Sequence, residues 1–211
     1  MITVHHLNNS RSQRVLWMLE ELAVAYEIVF HQRDAVTNLA PPELKAVHPL
    51  GKSPVIVDGD RVVAESGAIL DYLARWHGGG ALSAAIDAPE WPAYLHWMHF
   101  AEGSAMLPLM LHLYTMRLGD AAAPVQPRIA AEIDNHLSYM DAALAGKSFL
   151  VGDRLTAADI QNSFVLEAAR TFGKLGAYGN LSRTLDSWQA RTAYQRALQK
   201  GGPYAFGPQG R

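Results

Sequence analysis

The sequence predicts an α/β domain over residues 1–77 followed by an all-helical domain over residues 90–211. Three observations carry this reading. Short β-rich runs alternate with helical runs only in the first third of the chain. A stretch rich in Gly, Ala, Ser and Pro, residues 78–89, marks a linker. Beyond Pro89 the apolar residues step by three or four, the period of a helix.

The elements follow in order. Residues 2–7 are short and β-rich and predict a strand; Asn8-Asn9-Ser10 is turn chemistry. Val15, Leu16, Leu19 and Leu22 predict a helix over residues 11–23, and residues 26–30 a second strand. A βαβ unit of this kind sets its strands parallel. Pro41-Pro42-Glu43 opens a short helix ending near His48, with Pro at an early helical position. Residues 54–58 and 61–64 are strands joined at Asp58-Gly59-Asp60, a hairpin signal. Ile69, Leu70, Leu73 and Trp76 predict a helix over residues 65–76. The order β-α-β, irregular helix, β-β-α is thioredoxin-like.

In the second part, residues 90–117 predict a long helix bent at Pro108, where the backbone donor is missing. Ile129, Ile133, Leu137, Met140 and Leu144 form the core stripe of the next helix. Another helix starts near Thr156, two shorter ones cover residues 181–198, and the Gly- and Pro-rich tail from Gly201 reads as loop.

Composition narrows the function classes. A hydrophobic fraction of 49% with 18% charged residues is globular, and a formal net charge of −2 lacks the basic footprint of a nucleic-acid binder. No apolar run approaches the roughly 20 residues of a membrane helix. The opening residues lack a basic segment followed by a long apolar core, so the cytoplasm is the expected compartment. The chain has no cysteine. Disulfides, Cys-ligated metals and cysteine nucleophiles are excluded, and any thiol chemistry uses a thiol that a substrate brings. The histidines are scattered, and His5 and His6, adjacent in a strand, face opposite sides and cannot chelate one ion. No metal is expected.

Four motifs bear on chemistry. Ser10 falls where strand passes into helix, a place that favours negative charge, and its hydroxyl could donate to a thiolate. Ser10-x-x-Gln13 equally fits a capping box. In residues 48–54, Lys52 could pair with a carboxylate, and a cis Ser53–Pro54 bond would turn the Ser53 backbone toward a ligand; a plain loop with a solvated lysine is the alternative. Glu65 and Ser66 could bracket an ammonium and a carboxylate, or serve only as a helix start. Thr156 and Asp159 fit a capping pair with a structural role.

Together these pieces resemble the cytosolic glutathione S-transferase family across nearly the whole chain. The stretches that carry the resemblance are HPLGKSPVIVDGD (residues 48–60), AESGAILDYL (residues 64–73) and VGDRLTAADI (residues 151–160). The opening HHLNNSRSQRVLWMLEEL is similar to bacterial and fungal members with a theta- or delta-like serine after the first strand. That branch places its catalytic serine four residues before an arginine, which is Ser10 before Arg14 here. Asn9 or Ser12 could also reach the sulfur. Members using a tyrosine or a cysteine do not match, since residues 5–9 hold no tyrosine and the chain no cysteine.

The resemblance implies further roles. Ser53, beside a cis Pro54, would pair by its backbone with the cysteinyl part of glutathione. Glu65 and Ser66 would hold the γ-glutamyl head, and Lys52, with His48, the glycyl carboxylate. Glutathione would be a co-substrate, with no permanently bound cofactor. Its thiolate would attack a small hydrophobic electrophile, a detoxification reaction, and a two-fold homodimer is implied. Met106, Met110 and Tyr114, four apart on one helix, could wall the electrophile pocket or be ordinary core. A glutathione-dependent peroxidase, dehalogenase or lyase, and a non-catalytic ligand-binding protein, are the alternative functions on this scaffold. No nucleic-acid or membrane partner is expected.

Overall fold

The computed structural model describes residues 1–208. It forms two compact units: Met1–Ala85 together with the chain from Trp188 onward, and Ile86–Ser187.

In the first unit, β1 (Ile2–Leu7), α1 (Ser12–Glu21), β2 (Tyr26–His31), α2 (Leu44–Val47), β3 (Val55–Asp58), β4 (Arg61–Ala64) and α3 (Ser66–Tyr72) follow the predicted order. The sheet runs β2-β1-β3-β4. β1 and β2 are parallel, with Ile2 opposite Tyr26 and Leu7 opposite His31. β3 lies antiparallel to both β1 and β4. Gly59 makes the hairpin turn at φ +59°, a conformation glycine takes without steric cost. α3 runs on into a π-turn over Leu73–His77.

The helix α1 is buried from Ser12 to Glu20, because it is covered by the sheet, by α3 and by α9 (Thr192–Gly201). Trp17 packs edge-on to Tyr194, with ring centroids 5.3 Å apart, and lies 6.5 Å from Trp188. Ion pairs fasten the same contact. Arg191 forks onto Glu21 at 2.6 and 3.0 Å. Glu20 accepts from Arg196 at 2.7 Å, from the Tyr26 hydroxyl at 2.8 Å, and from Lys200. α9 approaches so closely at Gly201 that a Cβ there would meet Leu16 at 2.8 Å and Gln13 at 2.9 Å. These contacts place α9 with the first unit, a division that differs from the sequence-based assignment of residues 90–211 to one helical domain.

The second unit is helical: α4 (Trp91–Phe100), α5 (Met106–Thr115), α6 (Gln126–Ala143), α7 (Ala157–Thr171) and most of α8 (Gly179–Gln189). The long helix predicted over residues 90–117 is interrupted upstream of Pro108, by a π-turn at Ala101–Ala105. The proline ring crowds the carbonyl four residues back, at Ser104, and the widened turn lies there. Asp159 accepts the Thr156 N–H at 2.8 Å, the Thr156 hydroxyl at 3.1 Å and the Leu150 N–H at 2.8 Å, so the capping box at the start of α7 is formed. Asn162 ties α7 to α4 by donating to the Trp97 carbonyl at 2.8 Å. Among the described residues no helix is long and apolar enough to cross a membrane.

Candidate functional site

The candidate groups of the first unit gather where β1 ends, where β3 begins and where α3 starts. The β1–α1 loop is built by Arg33, whose guanidinium donates to the carbonyls of Asn8 (3.2 Å), Asn9 (3.3 Å) and Asn38 (3.1 Å), while its backbone N–H donates to Asn8 Oδ1 at 3.0 Å. Asn9 adopts φ +51°, which asparagine tolerates better than most residues. Its Oδ1 accepts the Ala205 N–H at 2.7 Å, fixing the tail beyond α9 over the loop.

Ser10 follows directly. It is 5% exposed, and its hydroxyl lies 2.8 Å from Ser12 Oγ and accepts the Ser12 N–H at 3.2 Å. The alternative capping box does not form. Arg11 is the N-cap of α1 and the helix has no side-chain cap, so Gln13 does not reach back; its amide is buried without a hydrogen-bond partner among the described residues, beside Gly201. Ser12 is wholly buried. Its Oγ lies 2.9 Å from His6 Nδ1 and accepts the Leu7 N–H at 3.3 Å. Burial pushes the His6 imidazole down to about 4, against a hydrogen bond to the Gly201 backbone that works the other way. The ring is therefore neutral at physiological pH.

Across the sheet, the Ser53–Pro54 bond is cis, and the Ser53 hydroxyl donates to the His5 carbonyl at 2.8 Å. This fastens the start of β3 to β1. Lys52 is exposed, and His48 is half-buried and accepts the Leu50 N–H at Nδ1. Glu65 is exposed and stands at φ +71°, in the left-handed region that glutamate seldom occupies; strain of this kind concentrates at ligand sites. It precedes α3 with no side-chain cap, and Ser66 is the first helical residue. Ser66 is 4% exposed and accepts from Arg14 Nη1 at 3.2 Å.

In the second unit Met106 is 2% exposed and belongs to the core, Met110 is half-buried, and Tyr114 is 62% exposed. Only the latter two present surface. Among the described residues, no cluster of three His, Cys, Asp or Glu side chains could hold a metal ion.

Sequence reasoning did not single out Arg33 or His6, and it named Ser12 only as another group that could reach the sulfur. Each acts through a tertiary contact, and the only local signal was the crowding of polar residues between His5 and Arg14. A cleft of about 740 Å3 opens beside this loop, lined by His6, Asn8, Asn9, Phe30, His31 and the tail around Tyr204. His31 stacks on His5, with Nε2 3.0 Å from His5 Nδ1.

Residues 1–75 match the family profile "Glutathione S-transferase, N-terminal domain", and residues 104–183 match "Glutathione S-transferase, C-terminal domain". Glutathione S-transferase 3 of Schizosaccharomyces pombe is 36% identical, over 95% of this chain and 88% of its own. A crystal structure of a glutathione S-transferase from Actinobacillus pleuropneumoniae is similar with a TM-score of 0.89 and 33% identity, over 97% of this chain and 94% of that one. A glutathione transferase family member from Pseudomonas fluorescens, solved with two glutathione bound, is 28% identical with a TM-score of 0.77, over 93% of this chain and 92% of that one.

Proposed function

We propose, since the chain belongs to the glutathione S-transferase family, that it joins the thiolate of glutathione to small hydrophobic electrophiles, with Ser10 as the residue that stabilises the thiolate. The observation that carries the choice of Ser10 is its place in the loop. Ser12 Oγ is enclosed by Leu7, His6 and Ser10, and Asn9 Oδ1 is taken by Ala205, whereas among the described residues Ser10 Oγ meets Ser12 alone. A hydrogen bond given to sulfur favours its charged form and lowers its pKa. The thiolate is the nucleophile.

Glutathione is held at both ends in this reading. The Ser53 backbone pairs with the cysteinyl part beside Pro54. Ser66 and Glu65 take the carboxylate and ammonium of the γ-glutamyl head, and the strained backbone of Glu65 supports a ligand-facing role. Lys52 and His48 face the glycyl carboxylate. Glutathione comes and goes as a co-substrate, and no permanent cofactor takes part. Met110 and Tyr114 contribute to electrophile binding, while the buried Met106 supports them from the core. The protein works in the cytoplasm as a two-fold homodimer, without nucleic acid or membrane.

A panel of an aryl halide, an organic hydroperoxide, an isothiocyanate and a disulfide, each with glutathione, tests this assignment. Turnover of the aryl halide or isothiocyanate, lost in Ser10→Ala, is expected. Turnover of the hydroperoxide alone makes the protein a peroxidase. Binding of glutathione with no turnover of any of them contradicts an enzymatic role.

A further inference from the structure

The main chain that leads into Ser10 has few ties of its own. Among the described residues neither the Asn9 N–H nor the Ser10 N–H makes a hydrogen bond, and the Asn8 N–H meets only the His31 carbonyl, at 3.4 Å. Asn9 also stands at φ +51°, a left-handed conformation that the surroundings have to hold. The bond from the Ala205 N–H to Asn9 Oδ1 fastens a side chain, not a peptide plane. Arg33 supplies what is missing. Its Nε donates to the Asn8 carbonyl at 3.2 Å and its Nη2 to the Asn9 carbonyl at 3.3 Å, while its own main-chain N–H donates to Asn8 Oδ1 at 3.0 Å. The Asn9 carbonyl belongs to the same planar unit as the Ser10 nitrogen, so its direction sets how the chain enters Ser10. On the other side Ser10 is fixed by the helix start, where its carbonyl accepts the Gln13 N–H at 3.3 Å.

Arg33 is held in turn by the segment that carries it. It stands two residues beyond β2, and Asp34 closes a tight turn directly after it. Asp34 Oδ1 accepts the Val36 N–H at 3.1 Å, the Thr37 N–H at 2.7 Å and the Thr37 hydroxyl at 2.8 Å. The Asp34 N–H donates to the Leu39 carbonyl at 3.0 Å, and its carbonyl accepts the Asn38 N–H at 2.9 Å. This turn puts Asn38 at φ +57° and its carbonyl 3.1 Å from Arg33 Nη1. Val36 and Leu39 are exposed, so hydrogen bonds and not packing shape the turn. All three guanidinium nitrogens thus face main-chain carbonyls. A planar fork serves three such acceptors at once, and the single point of an ammonium cannot.

We propose that Arg33 is a positioning residue for Ser10: by clamping the two peptide units before it from the turn after β2, it sets the direction of the Ser10 hydroxyl toward the sulfur of glutathione. This rests on the reading of Ser10 as the residue that meets the thiol. A hydrogen bond weakens steeply as it departs from linear, so a small rotation of the Asn9–Ser10 peptide costs the thiolate its stabilisation. Ser53, Glu65, Ser66 and Lys52, the groups proposed for the rest of glutathione, stand on other segments. Binding therefore survives where activation of the thiol does not.

The test is ultraviolet titration of the glutathione thiol in the binary complex, together with the Kd for glutathione. It compares the wild type, Ser10→Ala, Arg33→Lys, Arg33→Gln and Ser10→Ala/Arg33→Lys. Arg33→Lys keeps the charge and loses the fork. Both Arg33 variants are expected to raise the thiol pKa by about one unit, a tenfold drop in thiolate at pH values below it, with Kd within about threefold. The double variant should match Ser10→Ala alone, because Arg33 acts through Ser10. A wild-type thiol pKa in both Arg33 variants, whatever their melting temperatures, overturns the positioning role and leaves Ser10 in place. A wild-type value in Arg33→Lys alone assigns the effect to charge and overturns it too, as does a double variant whose shift is the sum of the two. If Arg33→Gln does not fold, Arg33→Lys and the double variant decide. An unmoved thiol pKa in Ser10→Ala overturns the reading of Ser10 and this one with it.

Discussion

Arg14 Nη1 donates to Ser66 Oγ across 3.2 Å, joining the first turn of α1 to the first residue of α3. The guanidinium is 1% exposed. It therefore sets where Ser66 stands, and through Ser66 the seat proposed for the γ-glutamyl carboxylate. The same arginine carries the spacing that identifies Ser10 in the sequence.

Arg14→Lys keeps the charge but loses the planar fork. It should raise the KM for glutathione by about tenfold and leave kcat nearly unchanged, because a misplaced Ser66 weakens ground-state and transition-state binding alike. Steady-state kinetics at fixed electrophile checks this. A fall in kcat with KM unchanged would contradict it.

Glu20 governs the attachment of α9. Burial opposes its charge, but hydrogen bonds from Lys200, Arg196 and Tyr26 outweigh that and hold the carboxyl below its usual range. Glu20→Ala leaves two cations and a phenol without their acceptor, and should cost about 2–4 kcal/mol of unfolding free energy. Limited proteolysis should cut beyond residue 188 in the variant well before the wild type.

Much of the first unit was legible because its signals are local. The hairpin at Gly59 and the β-rich run of β1 each lie within a few residues, and in the second unit the Thr156–Asp159 box spans a single turn. The position of α9 was not legible, since Arg191, Arg196 and Lys200 meet acids about 170 to 180 residues away. Ser10-x-x-Gln13 misled for a related reason. Its spacing fits a cap, but Gln13 is packed beside Gly201 and cannot turn back. Pro108 was recognised as a helix breaker, while the widened turn falls before it, where the ring crowds the chain. His6 gave no sign beyond a strand position, since its partners come from α1 and α9.

Asp159 offers a test by pH. Burial pushes its carboxyl up to about 7, against hydrogen bonds from Leu150 and Thr156 that pull it down. The folded protein thus holds this proton where the unfolded chain, near 4, has lost it. The associated stability is fully present below about pH 4 and is lost as pH rises through about 7. Asp159→Asn removes this titration and one of the carboxylate's acceptor sites, and should destabilise by about 1–3 kcal/mol. Urea unfolding should show the gap between wild type and variant largest near pH 4 and shrinking toward pH 8. A gap that grows with pH would mean that the carboxylate is charged when folded.

The most direct measurement is the pKa of the glutathione thiol in the binary complex, by ultraviolet titration of wild type and Ser10→Ala. With Ser10 donating to sulfur, the wild-type value should lie near neutrality and the variant's about two units higher, a difference of roughly 2.7 kcal/mol. Equal values in the two proteins, with glutathione bound in both, would contradict the role assigned to Ser10.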